Sequence, residues 1–120
     1  MKRKLRSIWR GITNLWKWRK VIYKDRDYDH WFIYEILKTK LTHQAEHLST
    51  YGHHESSQRD VERIELCLRL INKVQSEYYL DEALGEDFSR EVIVKAINQH
   101  NKAKRILFKL LEANIEGWWD

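Results

Sequence analysis

From Leu5 onward the apolar residues fall at Ile8, Trp9, Ile12, Leu15 and Trp16, the three-and-four spacing of a helix with one apolar face. A second segment opens on Asp25, Asp27 and Asp29, acids suited to the positive end of a helix. It carries Trp31, Tyr34, Leu37, Leu41 and Leu48 as far as a break at Gly52-His53-His54. Ser56 or Ser57 can cap a third helix with Asp60 in its first turn. Val61, Ile64, Leu68, Ile71, Val74 and Tyr78 give that helix a heptad-like stripe, which ends at a break around Leu84-Gly85-Glu86. A fourth segment places Ile93, Ile97, His100, Leu107, Leu110, Leu111, Ile115 and Trp118 on one helical repeat. No run alternates at period two, hairpin dipeptides such as Asn-Gly are missing, and the chain has no proline. The pattern predicts an all-α protein: an antiparallel bundle of about four helices in a single helical domain over 1–120. Residues 1–24 form a basic, Trp-rich amphipathic helix and residues 25–120 the helical body.

The fourth segment is long for its domain. About 30 residues of straight helix span ~45 Å, whereas a compact chain of this size has a radius of gyration of only ~14 Å. Either the helix breaks near Asn98-Gln99-His100-Asn101 or it reaches across to another subunit. The apolar stripe continues through that polar patch, which favours the second outcome and a homo-oligomer.

Charge sharpens this picture. The first 24 residues hold nine Lys/Arg, three Trp and no acid, while the remaining 96 hold 13 Lys/Arg against 18 Asp/Glu. A net charge of +4 therefore conceals a basic arm on an acidic body. Such a field favours an anionic partner: nucleic acid, a nucleotide, a membrane surface or an acidic protein patch. Cys67 is the single cysteine, so no intrachain disulfide forms, and its place among Leu66, Leu68 and Ile71 makes it a core filler. No stretch has the ~20 apolar residues of a membrane span. Trp9-Arg10-Gly11 and Asn14 interrupt the apolar run that a secretory signal requires.

Several clusters invite a chemical reading. Arg6, Arg10, Lys17, Arg19 and Lys20 interleave with Trp9, Trp16 and Trp18, a pairing that can hold phosphates and stack bases, or lie at a lipid interface. Periodicity alone accounts for Trp9 and Trp16 as a buried stripe, whereas Trp18 lies off it. Asp25-Arg26-Asp27-Tyr28-Asp29 begins like a calcium loop, but His30 stands where glycine is needed and Ile36 where glutamate is needed. His43-Gln44-Ala45-Glu46-His47 matches an inverted zincin pattern, yet catalytic zinc requires a third oriented ligand and a shaped cavity, and surface histidines are the expectation. The turn Tyr51-Gly52-His53-His54, followed by Ser56, Ser57, Arg59 and Arg63, offers hydroxyls, guanidinium groups and the free N–H groups of a helix start, which suit a phosphate. Of the paired aromatics Tyr78-Tyr79 and Trp118-Trp119, one member of each is expected to pack inward. Gly-rich phosphate loops, nucleophile elbows and C-x-x-C clusters are absent from the sequence. No catalytic residues, metal or cofactor are expected, and the protein is read as non-enzymatic.

Together the basic Trp-containing lead, Asp25-Arg26-Asp27-Tyr28-Asp29, the His53-His54 turn and Ile64-Glu65-Leu66-Cys67 resemble a family of small tailed-phage proteins. The ending Leu107-Phe108, Leu110-Leu111 and Ile115-Glu116-Gly117-Trp118-Trp119-Asp120 is the most specific part of the resemblance. It implies an accessory protein in the cytoplasm of the infected bacterial host, with no established activity. By analogy of class and size, small helical phage proteins include oligomeric sponges that trap the nucleotide signals of host defence. The leading expectation is a non-catalytic homo-oligomer that sequesters a small anionic nucleotide through Tyr51, His53, His54, Arg59, Arg63 and Trp18. The alternative is a DNA- or RNA-binding accessory protein acting through its basic first helix. A third reading is a protein-directed inhibitor or structural protein whose basic helix docks on an acidic surface.

Overall fold

A computed structural model describes residues 2–52, 55–85 and 89–119. All regular structure among them is helical: α1 (Lys2–Lys24), α2 (Trp31–Tyr51), α3 (Ser57–Gln75), α4 (Tyr78–Leu84) and α5 (Arg90–Asn114), closed by a 3-10 turn at Ile115–Gly117. The chain divides into two compact units, Met1–Thr39 and Lys40–Asp120, with the division falling inside α2.

The first unit contains α1 and the opening turns of α2. Between them the acids act as expected of a helix start: the Asp29 carboxylate accepts the Trp31 backbone N–H at 3.0 Å. Trp31 and Phe32 then meet edge to face, their ring centres 5.0 Å apart, and Lys38 pairs with Glu35 at 3.0 Å across one turn. No residue of α1 is buried.

The second unit holds the core. Leu41, Ala45 and Leu48 from α2 are buried, as are Ile64, Cys67, Ile71 and Val74 from α3 and Ala96, Ala103, Leu107 and Leu111 from α5. α3 and α4 both pack on α5, and α4 also on α3. The small Ala96 and Ala103, about three turns and one turn before Leu107, let neighbouring side chains approach the α5 backbone closely. Trp118, 3% exposed, follows the 3-10 turn into this core, and its backbone carbonyl accepts a hydrogen bond from the Gln44 amide of α2. Arg63 of α3 is tied to Asn114 at the end of α5, Nη1 to Oδ1 2.8 Å.

Two expectations change, and one alternative left open is decided. The stripe read as one helix through Tyr78 ends at Gln75, and a separate helix begins at Tyr78. Glu77 between them has φ 54°, a left-handed conformation that reverses the chain without a glycine. α5 runs unbroken through Asn98-Gln99-His100-Asn101, so the break considered there does not occur. Its start is fixed by Ser89, whose hydroxyl accepts the Val92 N–H at 3.3 Å, and its 25 residues span ~37 Å. Finally, the stripe of the first helix is open: Leu5, Ile8, Trp9, Ile12, Leu15 and Trp16 are all more than half exposed.

Candidate functional site

α1 is the most polarised surface among the described residues. At 3.6 residues per turn, Leu5, Ile8, Trp9, Ile12, Leu15 and Trp16, with Ile22 and Tyr23 one to two turns on, occupy an arc of about 140°. Lys2, Arg3, Arg6, Arg10, Lys17, Lys20 and Lys24 project from the arc beside and behind it. Two cations fall within the apolar arc, Lys4 at its edge and Arg19 inside it, and Arg19 is folded back onto its own helix. Its guanidinium lies 3.7 Å from the centre of the Trp16 ring, and Nη1 donates to the Trp16 carbonyl at 2.6 Å. Where the two arcs meet, Leu5 and Trp9 adjoin Arg6, Arg10 and Lys17 along a shallow groove. Trp9 is 71% exposed, while Trp18, off the stripe, is half-buried. The expectation for these two indoles is thus inverted.

The nucleotide site read from the sequence is distributed over both units. His53 and His54 lie outside the described residues. Tyr51, at the end of α2, is exposed and its ring sits 5.4 Å from that of His47. Arg59 is exposed in the first turn of α3, and Arg63, also exposed, is engaged by Asn114. Trp18 belongs to α1 in the other unit. The α3 start itself lacks a side-chain cap: Ser56 is helical and its hydroxyl donates to Asp60 at 3.3 Å instead. Asp60 is 8% exposed, so a carboxylate sits in the turn proposed for an anion and opposes it. Beside it the Ser57 hydroxyl is buried without a hydrogen-bond partner among the described residues. A Cβ on Gly52 would clash with the Leu48 carbonyl and lie 2.6 Å from that hydroxyl, so close packing explains the glycine.

His43 and His47 share α2 with Glu46, but no metal-binding cluster exists among the described residues. Of the aromatic pairs, Trp118 packs inward and Trp119 is 61% exposed. Tyr78 and Tyr79 meet edge to face at 5.3 Å, Tyr79 half-buried. Two links escaped sequence reasoning, Gln44 to Trp118 and Arg63 to Asn114, because a polar side chain reaching 74 or 51 residues along the chain leaves no periodic signal. Compared with protein-family models, curated proteins and solved structures, the chain matches none of them.

Proposed function

We propose that this is a non-catalytic anchoring protein that holds its helical body against an anionic membrane surface through α1. The observation that carries the reading is the amphipathic division of α1: an open apolar face of aliphatic and indole side chains beside a basic one, with no acid on the helix. Low overall hydrophobicity with strong polarity between faces is the signature of a helix lying in the plane of a lipid interface. Indoles rest at the headgroup boundary, aliphatic side chains enter the acyl region, and each Lys or Arg near an anionic leaflet adds about 1 kcal/mol. No helix among the described residues is long and apolar enough to cross a membrane.

Nucleic acid fits the same charge less well. Protein surfaces that hold single strands put cations and aromatics together on one face, whereas Leu5, Ile8, Ile12 and Leu15 share their face with the indoles and have no counterpart in a phosphate backbone. A second reading, sequestration of a small nucleotide at the start of α3, is favoured by the unpartnered Ser57 hydroxyl and the exposed Arg59. The buried Asp60 carboxylate in the same turn works against it, and the α1 reading leads.

Flotation with lipid vesicles tests the proposal. The protein is expected to float with vesicles containing phosphatidylglycerol, to float poorly with neutral phosphatidylcholine, and to be released as salt rises. Ile12→Asp removes one aliphatic contact worth about 2 kcal/mol and should weaken binding at least about thirtyfold, with the fold unchanged because Ile12 is 53% exposed. Failure to float with anionic vesicles, or retention of duplex DNA or RNA at physiological salt in its place, overturns the reading.

A further inference from the structure

α5 has a second apolar row that its own chain leaves open. The buried row, Ala96, Ala103, Leu107 and Leu111, faces the core. Roughly a quarter turn away lie Val94, Ile97 and Phe108, and Ile115 of the 3-10 turn extends the row. Their exposures are 48%, 49%, 50% and 49%. The spacing from Val94 through Ile97, Asn101, Lys104 and Phe108 alternates three and four, the repeat of a helix seam that meets another helix. Asn101 stands at one of its inward positions, where a polar residue fixes register rather than adding stability.

The polar residues along this row select the occupant. Arg105 and Glu112 lie three residues before and four after Phe108, on the same flank of the row. Both are exposed, and neither makes an ion pair among the described residues. A two-fold axis beside Phe108 and perpendicular to α5 sets a second α5 antiparallel to the first. It brings Arg105 of each copy level with Glu112 of the other, so the contact is made twice. A parallel arrangement lacks this complement, because Arg105 then faces the position of His100 and Glu112 that of Leu107. A shallow depression bordered by Asn101, Lys104, Arg105, Phe108, Lys109 and Glu112 surrounds the same point and can receive the ring of a second Phe108.

We infer that the C-terminal half of this row is a self-association surface: two copies of the chain pair through antiparallel α5 helices about Phe108, with reciprocal Arg105–Glu112 contacts. The inference stands on α5 alone and does not depend on what α1 binds. About this axis Val94 and Ile97 lie beyond the end of the partner's α5 and its 3-10 turn, so Phe108 and Ile115 of each copy, with two surface ion pairs, make a small interface, and a weak dimer follows.

Sedimentation equilibrium over a concentration series, without lipid, tests it. The mass should rise from 14.7 kDa toward twice that value. Arg105→Glu places carboxylates opposite carboxylates at both symmetric contacts and should weaken the dimer about tenfold or more. Arg105→Glu combined with Glu112→Arg restores the pairing and should recover it. Phe108→Glu should abolish it, and Arg105→Glu, at an exposed position, decides the matter if Phe108→Glu loses helicity. A monomer at every concentration overturns the proposal. So does a dimer indifferent to Arg105→Glu, or a double variant that stays folded without regaining the dimer.

Discussion

The thiol of Cys67 is fully enclosed, between the equally inaccessible Ile64 and Ile71 on the same helix. Burial withdraws the thiolate from water and pushes the pKa of the group up from the ordinary thiol value. The consequence for stability has a definite sign. Below the unfolded thiol pKa of about 8.5 both states hold the proton and the group contributes no pH dependence. Above it the unfolded chain releases the proton while the folded one retains it, so stability falls as pH rises, by at most about 1.4 kcal/mol per pH unit, until the folded pKa is reached. Urea unfolding of the wild type and of Cys67→Ala between pH 7 and pH 10 isolates the effect, since the lysines and tyrosines titrate in both. The wild type is expected to lose its advantage over Cys67→Ala through that range. A constant difference would mean that the folded thiol ionises as readily as the unfolded one. Sequence position already assigned Cys67 to the core, because its neighbours Leu68 and Ile71 belong to the same helical stripe.

At the scale of elements, the helices were legible wherever a stripe meets the core and a polar residue marks the start. The α2 start at Asp29 and the buried Leu41 and Leu48 follow directly from the sequence pattern. The α3–α4 division was not legible. Left-handed reversals normally advertise themselves by glycine, and here Glu77 adopts φ 54° with a Cβ in place. The turn is held instead by hydrogen bonds. Ser76 donates from its N–H to the Asn72 carbonyl at 3.0 Å and from its hydroxyl to the same oxygen at 2.6 Å, and the Glu77 carbonyl receives the Leu80 and Asp81 N–H groups. Glu77→Gly should therefore stabilise the protein by about 1 kcal/mol, the steric cost of a left-handed non-glycine residue, less the extra freedom glycine gives the unfolded chain. Thermal unfolding checks it: a melting temperature lower than that of the wild type would show that the strain at Glu77 is smaller than the entropy glycine adds to the unfolded chain. The candidate site divides in the same way. The amphipathic pattern of α1 was evident from spacing, but periodicity marks a face without saying what covers it, so the open state of Trp9 and Trp16 required the structure.

At the scale of the whole molecule, two surfaces on different units carry the interactions proposed: α1 for an anionic bilayer and α5 for a second copy. They are coupled through valency. One amphipathic helix partitions onto a bilayer reversibly, whereas a dimer presents two, and the second docks at the effective concentration set by the first. The charge distribution makes this coupling useful. The nine cations of the first 24 residues attract an anionic leaflet while the remaining residues, with 18 acids against 13 cations, are repelled by it, so a single α1 acts against its own body. Weakening the dimer should therefore weaken vesicle binding even though the altered residue lies outside α1. Arg105→Glu is expected to lower affinity for phosphatidylglycerol vesicles by roughly tenfold to a hundredfold at protein concentrations where the wild type is dimeric. The combination of Arg105→Glu with Glu112→Arg, which has the wild-type net charge, should restore it. Titrating vesicles into each variant, with sedimentation at the same concentrations, separates valency from simple charge. If Arg105→Glu dissociates the dimer yet floats like the wild type, each α1 binds independently and the two surfaces serve separate ends. If the double variant recovers the dimer without recovering vesicle affinity, position 105 contacts the lipid itself.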